Sequence, residues 1–300
     1  MMFERVDWTL KKESNNKLDL SNNVCFDSIL QNQIAGLFRN KGPVCNQYAD
    51  EGVVYDILSE YYEISSRQIA IGLGLGELIP RIFQLYRDRK FSIITPTWMM
   101  ATGFCEVYNI NYVEGIDTSA DVLYIANPNG MTGEYTHPDK IRELFSQFEL
   151  VIIDEAYAEF CVEIDCSLIS SAITLDNVIV CKTLSKSLAL PGLRFGYCFS
   201  NEKTIYEIQK VRPSGVCNTI IPSIGIELFE LIPQHVKRML DCRTYIQRKY
   251  DCVPSHSNFV LLKNKEKFLD FVKYKTINGL HRMSLLDYSS FRYYEEISNL

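Results

Sequence analysis

Apolar residues along this 300-residue chain fall into two patterns. The first is the short unbroken run, seen at residues 122–126, 150–153, 178–181 and 195–199, with 91–95 as a further strand. Runs of this length without polar alternation fit strands buried on both faces of a parallel sheet. Residues 68–71 form a further short strand candidate, and 105–113 reads as another strand. The second pattern repeats at helical spacing. It places Val53, Ile57, Leu58 and Tyr61 on one face within 52–65, and Leu78, Ile79, Ile82, Phe83 and Tyr86 on another after a glycine-rich turn. A helix opens at Thr136, His137 and Pro138 and runs to Phe148, with the proline near its first position. Strand and helix alternate from 68 to 200, which predicts a mostly parallel sheet with helices on both faces.

Beyond residue 200 the pattern changes. A helix over 201–212 is followed by Pro213, Ser214 and Gly215, and a long helical region over 219–249 is interrupted at Pro222 and Pro233. Two strands, 258–262 and 281–286, follow with a helix between them. This predicts a smaller α+β domain. The expected organisation is an N-terminal arm over 1–40 that joins the small domain, a large domain over 41–212, and a small C-terminal domain over 213–300.

Composition narrows the function. A hydrophobic fraction of 47% supports a sizeable core, and a net charge of -6 without a basic block argues against a nucleic-acid partner. No apolar run reaches membrane-span length, and the opening MMFERVDWTLKKESNN has no apolar stretch of signal-peptide type. The 10 cysteines are scattered without a C-x-x-C pair, several inside apolar runs, and read as reduced thiols in a cytoplasmic protein. No metal site is expected.

The chemistry concentrates at 178–196, VIVCKTLSKSLALPGLRFG. A buried strand breaks there into a polar turn carrying Lys182, Thr183, Ser185 and Lys186, with Arg194 eight residues further on. Ligands bind beyond the carboxyl ends of strands in open α/β sheets, so these groups suit an anionic, carbonyl-bearing ligand. The turn Gly72, Leu73, Gly74, Leu75, Gly76 before a helix offers backbone amides to an anion, though not at dinucleotide-fingerprint spacing. The run VIIDEAY at 151–157 also fits the magnesium-binding strand of P-loop nucleotidases, but the G-x-x-x-x-G-K-[ST] loop that such enzymes need is absent from the sequence.

These segments, in order, resemble fold-type I pyridoxal-phosphate enzymes. The match is nearest to the class I/II aminotransferases of the histidinol-phosphate aminotransferase kind and the related threonine-phosphate decarboxylases. TLSKSLALPGLRFGY and IIDEAYAEF are the most specific, supported by QYADEGVVYDIL, IGLGLGELI, TPTWMM, NPNGMTG, PSHSNFVLL and HRMSLLD. The resemblance implies a seven-stranded, mostly parallel sheet flanked by helices, a small α+β domain, and a homodimer. It implies that Lys186 carries pyridoxal phosphate as a Schiff base and moves a proton. Asp154 would pair with the ring nitrogen, Tyr157 with the ring 3′-oxygen, and Trp98 would stack on the ring. Leu75, Gly76, Thr183, Ser185 and Arg194 would hold the phosphate, with Tyr48 reaching across the dimer to the neighbour's phosphate. Asn23 lies in the substrate-side segment, and Arg282, with Arg292 as competitor, would clamp the substrate carboxylate.

Departures accompany the match. Where the family usually reads N-P-N-N-P-T-G, with the second asparagine of the N-N pair on the 3′-oxygen, this chain has Gly130, so either Asn129 shifts into the role or the bond is missing. Leu75 and Gly76 replace the usual side-chain donors of the phosphate turn, and Val24, Cys25, Phe26 and Asp27 stand where a proline-glycine pair is usual. The chain is also short for the family at its N-terminus and in its final domain. The activity expected is amino transfer between a small amino acid or amino-phosphate and a 2-oxo acid. The alternatives are decarboxylation of a phosphothreonine-like amino acid, which shares Lys186, Asp154 and Arg194, and a non-catalytic binding or regulatory role.

Overall fold

A computed structural model of the chain describes residues 17–41, 46–162 and 166–299. Residues 1–16 of the expected N-terminal arm and residues 42–45 at the start of the expected large domain lie outside the described residues. A seven-stranded sheet organises the molecule, in the order Ile69–Gly72, Gly196–Phe199, Val178–Thr183, Leu150–Asp154, Val122–Ala126, Phe91–Ile93, Tyr112–Glu114. The strands from Val178–Thr183 to Tyr112–Glu114 pair in parallel, and Gly196–Phe199 runs antiparallel to both its neighbours.

The unbroken apolar runs follow from two-sided burial. Side chains alternate between faces along a strand. Val151, Ile153, Val178 and Val180 therefore enter one core, while Leu150, Ile152, Ile179 and Cys181 enter the other. Helices Glu51–Tyr62 and Ile220–Lys249 contribute Val54, Ile57, Leu228 and Phe229 to the first core. Helix Leu75–Leu85 contributes Leu78, Ile79, Ile82 and Phe83 to the second.

A four-stranded sheet packs the C-terminal part, in the order Lys275–Ile277, Leu280–Ser284, Phe259–Leu262, Cys252–Val253. The N-terminal segment docks onto this part. Leu18–Asp19 pairs with Val272–Lys273, and Phe26 bridges to Leu286. Among the described residues no helix is long and apolar enough to cross a membrane, and the cysteines are free thiols.

Several local expectations are corrected. Residues 105–108 belong to a helix, Met100–Tyr108, and only Tyr112–Glu114 is extended. Ala101 and Cys105, four apart, face the core, and Asn109 closes the helix in a left-handed conformation at φ 54°. The helix after Pro138 ends at Arg142, followed by a single 3₁₀ turn over Phe145–Gln147. Pro233 does not interrupt Ile220–Lys249, but the helix is kinked near Pro222, at Ile224, whose backbone is non-helical (φ -139°, ψ 15°). Between the last two predicted strands stand a 3₁₀ turn, Lys267–Phe271, and two short strands rather than a helix. Helix Ser28–Asn40, capped by Asp27, occupies what read as irregular arm.

Candidate active site

Parallel strands Leu150–Asp154 and Val178–Thr183 end side by side, so their last residues open onto one crevice at the carboxyl edge of the sheet. Asp154 is the last residue of its strand and points to the same face as Ile152 and, on the next strand, Tyr124. Its Oδ2 accepts from Tyr124 Oη at 2.9 Å and its Oδ1 from the Ala156 amide at 3.0 Å. Both donors are neutral. Burial raises the Asp154 pKa, against the opposing pull of Tyr124, Ala156 and the charge of Lys186. A carboxylate so placed is short of a positive partner. Tyr124 was not singled out from the sequence; a hydroxyl inside the apolar run VLYIA was the available signal.

The strand Val178–Thr183 runs two residues further than its apolar pattern suggests, because Lys182 is buried in it rather than placed in a turn. Lys182 Nζ stands 2.9 Å from Glu159 and 3.4 Å from Glu155. Burial alone would lower its pKa, but the two carboxylates hold it well above the lysine range. Lys182 is therefore part of the scaffold under the site.

Thr183 caps the one-turn helix Leu184–Ser187, accepting from the Ser185 amide at 3.1 Å and donating to Phe195 O at 2.8 Å. Ser185 Oγ lies 3.0 Å from Thr183 Oγ1. This short helix carries Lys186 into the crevice. Lys186 Nζ donates to Asn23 O at 3.1 Å and Asn22 O at 3.3 Å, and lies 5.8 Å from the centre of the Tyr157 ring. Burial lowers its pKa to about 8, with Arg282 and Arg194 adding to the effect.

Next to this helix the turn before Leu75–Leu85 and Arg194 meet. Gly74 has φ 76°, a conformation that favours glycine, and a Cβ there would fall 2.6 Å from Arg194 Nη2, so the guanidinium would have to move aside. Arg194 donates to Leu73 O at 3.2 Å and Pro191 O at 3.0 Å. The first turn of Leu75–Leu85 leaves the amides of Leu75 and Gly76 without intrahelical carbonyls, at the positive end of the helix dipole.

On the other side, Tyr157 accepts from Asn23 Nδ2 at 3.0 Å, and burial raises its phenol to about 12. Arg282, buried on strand Leu280–Ser284, places its Nη groups 3.4 Å from Gly130 O and from Ser21 O, with Nε unpartnered. Arg292 is elsewhere, on the final helix, tied to Glu295, Glu296 and Tyr245. Asn129 is engaged in its own turn, donating to Pro96 O at 2.7 Å and accepting from the amides of Met131 and Thr132. It does not move across to Tyr157. Trp98 packs edge-on to Phe104 at the start of helix Met100–Tyr108. Tyr48 is 95% exposed and joins none of these groups.

Lys186, the buried Asp154, Arg282 and Arg194 beside the glycine turn thus lie close enough together to act on one another's charge. The family model for aminotransferase class I and II matches residues 13–268. The chain belongs to the class I and II aminotransferases. The histidinol-phosphate aminotransferase of Pyrococcus furiosus is 27% identical over 228 residues, 69% of this chain and 67% of that one. That of Clostridium kluyveri is 26% identical over 293 residues, 87% of this chain and 81% of that one. The histidinol-phosphate aminotransferase of Sinorhizobium meliloti, solved in complex with pyridoxal-5′-phosphate, has the same fold, with TM-score 0.78 at 19% identity over 93% of this chain and 89% of that one. This aminotransferase is accordingly a fold-type I enzyme dependent on pyridoxal phosphate.

Proposed function

We propose that this aminotransferase moves an amino group from an amino-phosphate of the histidinol phosphate kind, or from a small amino acid, to a 2-oxo acid, with its cofactor attached to Lys186. The observation that carries the reading is the convergence on one crevice of Lys186, whose pKa burial lowers to about 8, and the buried Asp154, whose oxygens meet only neutral donors. The cofactor fits these residues. A protonated ring nitrogen would supply the positive partner that Asp154 lacks, and the cradle of Gly74, the Leu75 and Gly76 amides, Thr183, Ser185 and Arg194 suits a phosphate. When bound, pyridoxal phosphate supplies a carbonyl carbon for the amine and a ring that draws off electrons from the substrate α-carbon.

The protein's own residues would do the rest. With a pKa of about 8, about one Lys186 in ten is free amine near neutral pH, able to attach and then to take and return a proton. Asp154 would keep the ring nitrogen protonated. Tyr157 would donate to the ring oxygen and Trp98 would cover the ring face. Arg282, buried with an unpartnered Nε, would take the anionic end of the substrate, whereas Arg292 is paired with Glu295 and Glu296 on the final helix. The buried and unpartnered Asn23 Oδ1 supports a place for Asn23 at the substrate side. The exposure of Tyr48 supports a homodimer in which it reaches the partner's phosphate.

Histidinol phosphate, glutamate and phosphothreonine, each added alone to the loaded protein, test this. The expected result is conversion of the carbonyl cofactor to its amine form by histidinol phosphate, with one keto product released per site. Carbon dioxide release with the cofactor unchanged would replace amino transfer by decarboxylation, and no response to any donor would sink the substrate class.

A further inference from the structure

The sequence marks Asn23 as a substrate-side residue, yet two of its hydrogen bonds go to the catalytic groups themselves, Lys186 and Tyr157. Asn23 is buried and held at φ 52°, a left-handed conformation that asparagine and glycine tolerate best. Its main-chain carbonyl accepts from Lys186 Nζ at 3.1 Å and from Asn258 Nδ2 at 2.9 Å. Its Nδ2 donates to Gly130 O at 2.9 Å and to Tyr157 Oη at 3.0 Å. A carbonyl only accepts, so the contact with Gly130 O fixes which end of the carboxamide is nitrogen. The phenol oxygen must then accept from Asn23, and its own hydrogen is turned away, free for another acceptor. Gly130 completes the arrangement: a Cβ there would fall 2.5 Å from Tyr157 Cε2. Any larger residue at 130 would push the ring off the Asn23 amide.

We propose that Asn23 is a positioning residue whose carboxamide aims the Tyr157 hydroxyl and whose carbonyl holds the Lys186 amine, in space that Gly130 keeps open. The N-terminal segment is thereby part of the catalytic apparatus: the crevice is complete only when Leu18–Asp19 and Phe26 are docked on the C-terminal part. The charged and titratable groups facing the Tyr157 phenol are Asp154 and Cys25, which disfavour its ionisation, and Arg282, which favours it. Lys186 lies over its ring. Against burial, the Asn23 hydrogen bond is the largest influence lowering its pKa.

The experiment rests on the cofactor assignment above and uses two variants. Asn23→Gly keeps the backbone conformation and the carbonyl but removes the carboxamide. Asn23→Asp keeps the shape and replaces the donor by an acceptor. The readout is the pH midpoint of the visible absorption band of the cofactor-loaded protein. A phenol hydrogen aimed at the cofactor's ring oxygen stabilises negative charge there; once the aim is lost, that oxygen holds the neighbouring lysine nitrogen's proton more tightly. Asn23→Gly should raise the midpoint by about half a unit to one unit, the equivalent of one hydrogen bond. Asn23→Asp should raise it further, because the phenol turns its hydrogen onto the new carboxylate. A merely structural asparagine would lower stability and leave both midpoints in place, and that result overturns the proposal.

A cofactor-independent arm separates the two claims. In urea unfolding of the cofactor-free protein, the cycle of Asn23→Gly, Tyr157→Phe and the double variant should show coupling of about 2- to 10-fold in the unfolding constant. If the unsubstituted protein takes up no pyridoxal phosphate, the cofactor assignment falls and this cycle decides the contact. No coupling rejects the Asn23–Tyr157 contact in either case.

Discussion

Replacing the lysine at the centre of the site should make the cofactor-free protein more stable. Lys186 is a buried ammonium near Arg282 and Arg194, which oppose its charge, and Asp154 and Cys25, which favour it, with main-chain carbonyls of Asn22 and Asn23 as its hydrogen-bond acceptors. The gap between its ordinary 10.5 and about 8 corresponds to about 3 kcal/mol of penalty on the charged form. Loss of the two carbonyl bonds in Lys186→Met offsets part of the gain, leaving a net stabilisation of about 1–3 kcal/mol near neutral pH. The pH dependence has a defined sign. A lysine whose folded pKa is depressed sheds its proton in the folded state first, so between about 8 and 10.5 the unfolded chain binds more protons and stability rises with pH. The penalty is full below about 8 and gone above 10.5. Urea unfolding of both cofactor-free proteins across that range is the assay. The variant should lead at neutral pH, with the difference closing as the solution becomes alkaline. A variant less stable at neutral pH, or a difference flat across the range, would refute the claim that Lys186 sits strained and partly deprotonated in its crevice. Function would here be held at the expense of stability, as is common for catalytic groups.

Three further outcomes follow from the same geometry. Gly74→Ala should weaken pyridoxal phosphate binding at least about 10-fold and cost about 1–2 kcal/mol of stability, because φ 76° strains any side chain and the new Cβ displaces the Arg194 guanidinium; fluorescence titration and urea unfolding read the two effects. Gly130→Ala should lower stability by about 1–3 kcal/mol through the clash with the Tyr157 ring, seen as a fall in Tm, with no comparable loss at Gly192, where a Cβ meets nothing. Asp154→Asn should lower kcat by about 100-fold or more while leaving the fold intact, since its carboxylate is the group proposed to hold the ring proton, while the amide oxygen can keep the Ala156 N–H and the amide nitrogen can donate to the Tyr124 hydroxyl.

The large sheet was legible because two-sided burial writes itself as unbroken apolar runs: Val151 and Ile153 fill one core while Leu150 and Ile152 fill the other. What lay at the ends of those runs was less legible. Lys182 reads as a turn residue because lysine is rarely buried, and only the distant Glu159 together with Glu155 makes its burial tolerable. Helix Met100–Tyr108 was hidden by aromatic and β-branched residues that suit a strand, and its amphipathic face is just Ala101, Gly103 and Cys105. Of the candidate site, Lys186, Asp154, Thr183, Ser185 and Arg194 follow from local motifs at strand ends and turns. The links of Tyr124 to Asp154 and of Asn23 to Tyr157 span 30 and 134 residues, and no local pattern encodes them. The choice of Arg282 over Arg292 needed the partners of both: one is buried with an unpartnered nitrogen, the other bound to its own helix.

The central claim is that Lys186 is the residue to which the cofactor attaches. The direct measurement is to load the purified protein with pyridoxal phosphate, reduce it with borohydride and map the modified peptide by mass spectrometry. One reduced adduct per chain is expected, on the peptide containing Lys186 and absent from Lys186→Met. An adduct on Lys182 or on surface lysines alone, or no adduct, would contradict it.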